Sequence, residues 1–367
     1  MRSGVPELSR RVLNRTLLER QLLARRVPRT PLEAIEHLVA MQAQMPNGPY
    51  VGLWARLENF RHDDLTALLE SRDVVHATML RCTQHLASGE DFRWLWPTVA
   101  PAVRKALTDA YYATQIEGMD LDELARVSRQ LLTGKTLTRR DLGQLLTDRF
   151  PGRAPGRLAE AIELLEALVH PPPHSTWGRW GHRRGTPVTL ADEWLGRPLT
   201  DAPQPEAMVL RYLAAFGPAS VMDIQAWSGS TRLRKVVEGL RPKLRAFRDE
   251  QGGELLDLPD APLGEPDRPA PVRFLPAFDN AVLGYRDRTR VISEENRRRI
   301  APRASGGVPL FLVDGFAEGS WTLTNGHLHI APFRPLSGSE KAAVRDEAAR
   351  LLAFVAPDNT EPSFTLE

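Results

Sequence analysis

Residues 205–258 read PEAMVLRYLAAFGPASVMDIQAWSGSTRLRKVVEGLRPKLRAFRDEQGGELLDL. Glu206–Phe216 reads as a helix. Gly217-Pro218-Ala219-Ser220 breaks it and caps a short second helix, Val221–Trp227. Thr231–Phe247 reads as a longer helix rich in arginine and lysine. Gly252-Gly253 then stands between two strand-like arms in 248–258, a hairpin signal. Helix, short helix, basic helix, hairpin is the order of a winged helix-turn-helix unit. Many small α+β units share one such succession, so its recurrence elsewhere in the chain decides the fold.

The pattern recurs twice. Within 7–90, Leu8–Arg25 reads as a helix with Val12, Leu17, Leu18 and Leu22 apolar. Thr30 as N-cap, Pro31 at the first helical position and Glu33 three beyond the cap start a second helix. Its stripe is Leu32, Ile35 and Val39. Another helix begins near His62, and VVHATMLRCTQHL (74–86) has strand character. Within 120–200, Leu121–Leu132 is one helix, Thr138-Arg139-Arg140-Asp141 caps a second that runs to Phe150, and a third spans Pro155–Val169. HPPPHSTWGRWGHRRGTPVTLADEW (170–194) follows as a loop-rich hairpin. Beyond the Pro-rich linker 257–272 come the strand-like runs VRFLPAF, VPLFLVDGF, GSWTLTN and HLHIAPF, then a helix, Ser339–Phe354. These runs read as a small antiparallel sheet or barrel plus one helix. The expected fold is α+β: three tandem winged helix-turn-helix units at 1–118, 119–202 and 203–262, and a β-rich unit with a closing helix at 263–367.

The 367 residues, 42% of them hydrophobic, suffice for several cores. Cys82 is the single cysteine, which excludes an intramolecular disulfide and fits a reducing cytoplasm. The opening MRSGVPELSRRVLNR lacks the apolar stretch of a signal peptide, and no apolar run reaches the length of a membrane span. The expectation is a soluble, non-secreted, cytoplasmic protein with no membrane partner. The net charge is only +2, but arginine supplies 43 of the 48 basic residues. Arginine is the better fork for phosphates and base edges. A GC-rich genome also favours arginine codons, so clustering carries more information than the count.

Residues 40–54, AMQAQMPNGPYVGLW, place two amides where a helix must stop. Extending the stripe Leu32, Ile35, Val39 by three reaches Gln42. Residues two apart do not share a helix face, but they do share a face of an extended chain. Pro46 biases its predecessor toward extended geometry, so the helix ends near this point. Gln42 and Gln44 therefore converge if the chain leaves the helix between them. A helix-end cap at Gln42 and a solvated Gln44 is the simpler alternative.

QAQMPNGPYVGLWARL, MLRCTQHL (79–86), WGRWG (177–181) and FLPAFDN (274–280) together, in this order, resemble the AlkZ-type DNA glycosylases of the AlkZ/YcaQ winged-helix superfamily. The resemblance spans about residues 8–355. AlkZ-like members carry glutamine, one apolar residue, glutamine; YcaQ-like members carry aspartate in place of the second glutamine. This chain has the former pattern, at Gln42 and Gln44. The resemblance implies three tandem winged helices forming a C-shaped basic surface, with a small β-barrel. It implies excision of alkylated purines, bulky adducts and crosslinks included, from damaged double-stranded DNA. It points to a monofunctional glycosylase acting as a monomer without metal or cofactor, with Gln42 and Gln44 as the catalytic pair. N7-alkylation leaves guanine cationic and its glycosidic bond weak, so amides that hold a water and face developing positive charge suffice. No lysine is near the motif in sequence, which argues against a Schiff-base lyase step.

Candidate DNA contacts surround this pair. Asn47 follows the motif directly. Arg81, Thr83 and His85 alternate, so in a strand they share a face; a hairpin edge without ligand has the same look. Arg179, His182, Arg183 and Arg184 interleave with Trp177 and Trp180, as in a wing against DNA or a solvated loop. Arg232, Arg234, Lys235, Arg241, Lys243 and Arg245 crowd the basic helix, which a charged solvent face also explains. His327 and His329 flank Leu328 after the turn signal Asn325-Gly326. Without partner ligands at metal spacing they read as strand surface, or as a hairpin probing a groove. Asp279-Asn280 reads as a structural turn. The alternative for the whole chain is a winged-helix transcription regulator without catalysis, which would need no paired amides at residues 42 and 44.

Overall fold

The computed structural model describes residues 5–45, 47–109, 112–113, 116–178, 185–302, 307–357 and 363–367. It is a mixed α+β fold.

The segment 205–258 forms helices Pro205–Phe216, Val221–Ser228 and Arg234–Leu240, then antiparallel strands Arg245–Asp249 and Glu254–Asp257. Gly217 ends the first helix at φ 88°, and Ser220 opens the second through a reciprocal capping box with Asp223. Ala219 bridges to Leu256, so the chain between these helices joins the hairpin as a third, single-residue rung. On the hairpin's other edge Glu7–Leu8 runs parallel to Arg245–Asp249. The basic helix is shorter than the expected 231–247. It stops at Leu240, Arg241–Lys243 makes one 3-10 turn around Pro242, and Arg245 already belongs to a strand.

Strands from 41–88 and 137–190 form one six-stranded sheet. Its order is Met41–Gln42, Gln84–Ser88, Val74–Thr78, Leu168–Val169, Pro187–Leu190, Leu137–Thr138, antiparallel at every pairing. Residues 74–86 are not one strand: Leu80–Cys82 turns between two, with Arg81 and Cys82 left-handed at φ 54° and 57°. The capping box of Thr30 and Glu33 opens helix Pro31–Leu38, and helices Gly48–Trp54, His62–Glu70 and Gly89–Lys105 pack around these strands. Helix Pro155–Leu165 ends short of the expected Val169, which lies in the sheet.

The C-terminal region is an open five-stranded sheet: Arg273–Leu275, Leu310–Val313, Phe316–Thr324, His327–Pro332 and Ser363–Leu366, in sequence order. The first four pair antiparallel and the last runs parallel to the fourth. Among the described residues no pairing joins the first strand to the last, so the expected barrel is not closed. Helix Gly338–Val355 lies against both outer strands and buries Val344, Ala348, Leu351 and Leu352. A helix thus covers the sheet where strand closure would have. Among the described residues no helix is long and apolar enough to cross a membrane.

Candidate active site

Helix Pro31–Leu38 stops at Val39, which turns left-handed at φ 69°. The helix therefore ends before both glutamines rather than between them. Met41–Gln42 is already a strand, in register with Leu86 and His85, and the Ala43 amide continues the ladder to the Gln84 carbonyl at 2.8 Å. On extended chain Gln42 and Gln44 share a face. Gln42 Nε2 donates to Gln44 Oε1 at 2.6 Å. Gln42 is 9% exposed and Gln44 opens to solvent.

Arg81 completes the row. Its Nη2 donates to Gln42 Oε1 at 2.5 Å, and its Nη1 donates to the Trp227 carbonyl. A guanidinium has donors only, so the Gln42 oxygen must face Arg81 and its NH2 must face Gln44. The position of Arg81 in the turn means that Arg81, Thr83 and His85 do not line one strand face. His85 sits opposite Gln42 in the ladder, 1% exposed. Burial and the Arg81 charge push its pKa down to about 3, so it is neutral, with Nδ1–H donating to the Thr83 carbonyl at 2.8 Å. Burial and the like charge of Arg288 lower Arg81 to about 10, which still leaves it protonated at pH 7.

A buried histidine cluster supports the motif from below, and sequence reasoning missed it. His76 Nε2 lies 3.1 Å from the Ala43 carbonyl and Nδ1 lies 2.5 Å from Ser175 Oγ. The carbonyl only accepts, so Nε2 carries the proton and the Ser175 hydroxyl donates to Nδ1. The rings of His170 and His174 stand 5.2 and 6.3 Å away. Glu163 receives Arg139, His170 and the Thr78 hydroxyl. The signal in sequence was His76 alternating within VVHAT and the spaced pair in HPPPH, but nothing local joins them to Ala43.

The described parts of the four separated motifs meet here. Asn47 Oδ1 accepts the Gly178 amide at 2.9 Å, tying the glutamine loop to Trp177-Gly178. Asn280 Nδ2 donates to the Ala40 carbonyl at 2.6 Å. Asp279 caps the short helix Asn280–Leu283 and pairs with Arg56 through two bonds of 2.9 and 2.8 Å. Arg56 in turn donates to the Gln21 carbonyl at 2.9 Å. Gly52 lacks a Cβ that would come within 2.9 Å of Met41 and 3.6 Å of Pro276. Asn280 thus anchors the backbone ahead of Gln42 and Asp279 holds Arg56 beyond helix Gly48–Trp54, in keeping with a structural turn.

A family model described as DNA glycosylase AlkZ-like matches residues 35–354. The chain belongs to the AlkZ-like DNA glycosylase family. It is 23% identical over 365 residues to the interstrand DNA cross-link repair glycosylase of Streptomyces sahachiroi, covering 91% of this chain and 93% of that one. The solved structure of Streptomyces sahachiroi DNA glycosylase AlkZ matches with a TM-score of 0.80 at 20% identity, over 98% of this chain and 100% of that chain.

The other DNA-contact candidates of this glycosylase divide by environment. Arg232, Arg234 and Lys235 are exposed and make no ion pair among the described residues. Lys243 is exposed as well. Arg241 is held by Glu238 and Glu254, and Arg245 by Asp257. Arg179 and Arg183, with Trp180, His182 and Arg184, lie outside the described residues. Trp177, at their edge, stacks on His62 with centroids 3.9 Å apart. His327 hydrogen-bonds Ser363 and Thr365 on the neighbouring strand at 2.7 and 2.9 Å. His329 is exposed beside it, with ring centroids 4.5 Å apart. Among the described residues no group of three or more histidine, cysteine, aspartate or glutamate side chains is arranged to hold a metal ion.

Proposed function

We propose that this glycosylase hydrolyses the N-glycosidic bond of N7-alkylated or bulky cationic purine adducts in double-stranded DNA, interstrand crosslinks included. The role is repair, or self-resistance to a genotoxic natural product, in the cytoplasm and as a monomer. The observation that carries the reading is the Gln42–Gln44 pair. Among the described residues its side-chain hydrogen bonds run to each other and to Arg81, and none runs to a carboxylate. Such a site offers a water acceptor and dipoles but no strong acid or base, which suits a base that is already a good leaving group. The Gln44 carbonyl keeps one lone pair for a water below the sugar C1′. Gln42 holds Gln44 in place.

The succession of helices in 205–240, the Ala219 rung and the hairpin support a winged-helix reading of that unit. In that reading Arg232, Arg234 and Lys235 face the DNA, and the three units at 1–118, 119–202 and 203–262 form a C-shaped basic surface. His327 and His329 extend it as a hairpin directed at a groove.

The test is incubation with duplexes treated with a panel of DNA-alkylating agents, followed by heat or alkali. Strand breaks at the adducts, dependent on the protein, are expected. Binding without abasic sites on every alkylated duplex would favour the regulator instead.

A further inference from the structure

We infer that Arg81 is the positioning residue of the amide pair: its guanidinium fixes which way Gln42 and Gln44 face and so aims the amide that meets the substrate. This rests on the glycosylase reading of the two glutamines.

Arg81 is held where folding alone gives it little reason to be. Its backbone is left-handed at φ 54°, ψ 25°, and Cys82 follows at φ 57°. β-free glycine tolerates this region and arginine does not favour it. The turn persists because helix Val221–Ser228 ends against it. Gly229, at φ 76°, closes that helix, and a Cβ there would lie 2.9 Å from the Arg81 nitrogen and 3.0 Å from its Cα. The Trp227 carbonyl lies in the helix's last turn, where the dipole is negative, and it accepts one arm of the fork. No carboxylate pairs with Arg81 among the described residues, and the charge that acts on it is Arg288, of like sign. A largely buried cation without an ion-pair partner calls for a use.

The use lies in the second arm. Two amides in a row can be arranged in four ways, since each can present oxygen or nitrogen. Arg81 leaves one. Its Nη2 demands the Gln42 oxygen, which turns the Gln42 NH2 to Gln44, which must answer with its own oxygen. The charge also polarises the row, because a charge-assisted bond at one end strengthens the next. Exposed Gln44 is left with a fixed carbonyl lone pair and its own NH2 turned outward. Arg81 therefore acts through Gln42 and not, as the sequence suggested, as a phosphate contact.

The experiment compares wild type, Arg81→Ala and Arg81→Lys on one N7-alkylguanine duplex. Single-turnover excision at saturating enzyme is read beside DNA affinity and its salt dependence. Arg81→Ala is expected to slow excision by about tenfold to a hundredfold, as a small misplacement of a reacting group does. Affinity and salt slope should stay unchanged, and added guanidinium should restore part of the rate. Arg81→Lys, which keeps charge but not the fork, should also be slow; it carries the test if the alanine variant does not fold. A wild-type rate in the variant tested would overturn the inference. So would weaker binding with an unchanged rate and a salt slope shallower by about 0.9, the mark of a phosphate contact. If wild type excises nothing, the glycosylase reading fails by itself. The NMR shift of the Gln42 side-chain amide protons then decides for Arg81: a change in Arg81→Ala supports the inference and no change overturns it.

Discussion

Gln42 donates its side-chain amide to the Gln44 carbonyl at 2.6 Å, and it can do so because the helix before them has already ended at Leu38. The residue at 44 must therefore accept a hydrogen bond from 42. Glutamate and aspartate both can. Glutamate keeps the reach of glutamine, whereas aspartate is one methylene shorter, and about 1 Å of misplacement costs about a hundredfold. The expected order of single-turnover excision is wild type, then Gln44→Glu, then Gln44→Asp, with Gln44→Ala slowest. If both carboxylates were as slow as alanine, the amide N–H of Gln44 would be the group required, and the role given to its carbonyl would be wrong.

Arg56 and Asp279 are 0% and 2% exposed in their side chains, and they join the end of helix Gly48–Trp54 to the segment that follows the first strand of the C-terminal sheet. Removing one partner strands the other charge in the interior. Arg56→Ala or Asp279→Ala should lower folding stability by about 3–5 kcal/mol. Denaturant unfolding monitored by circular dichroism measures it. A loss below about 1 kcal/mol in both would show that water reaches the pair.

Burial depresses His76 well below its usual 6.5, and burial with the Arg81 charge takes His85 to about 3. The unfolded chain takes up these protons near pH 6.5 and the folded chain does not. Stability is thus complete above about 6.5 and falls as pH drops toward the folded values, by up to about 1.4 kcal/mol per pH unit for each histidine. Unfolding free energies at pH 7, 6 and 5 should decline in that order. A flat profile would mean that both rings are protonated in the folded protein, and half the slope that only one stays neutral.

Arg232, Arg234 and Lys235 are exposed without ion pairs among the described residues, while Arg241 is shared by Glu238 and Glu254. Replacing each of the first three with glutamine should reduce the log–log salt slope of DNA binding by about 0.9. Arg241→Gln should leave it unchanged. Equal effects from all four would mean a diffuse charge field without phosphate contacts.

How far the sequence could be read follows from where each signal lies. The helix after Thr30 was legible because cap, proline and glutamate fall within four residues, and the hairpin at Gly252 because glycine marks it. The turn at Arg81 was hidden: no glycine, proline or asparagine marks it, and it is held by Gly229, far along the chain. Arginine and lysine are good helix formers, so the segment 231–247 read as one helix although Pro242 ends it. Closure of the last sheet depends on whether its first and last strands pair, which no local pattern encodes. At the site, the two glutamines were visible as a spaced pair before a proline. The Arg81 fork and the His76 bond to Ala43 form only when strands pair, so they were not.

The central claim is that the amide pair carries excision. Gln42→Ala and Gln44→Ala should each retain the wild-type fold and DNA affinity while single-turnover excision from an N7-alkylguanine duplex drops by at least about tenfold, the expected effect of losing a positioned group. Wild-type excision rates in both variants would contradict the account.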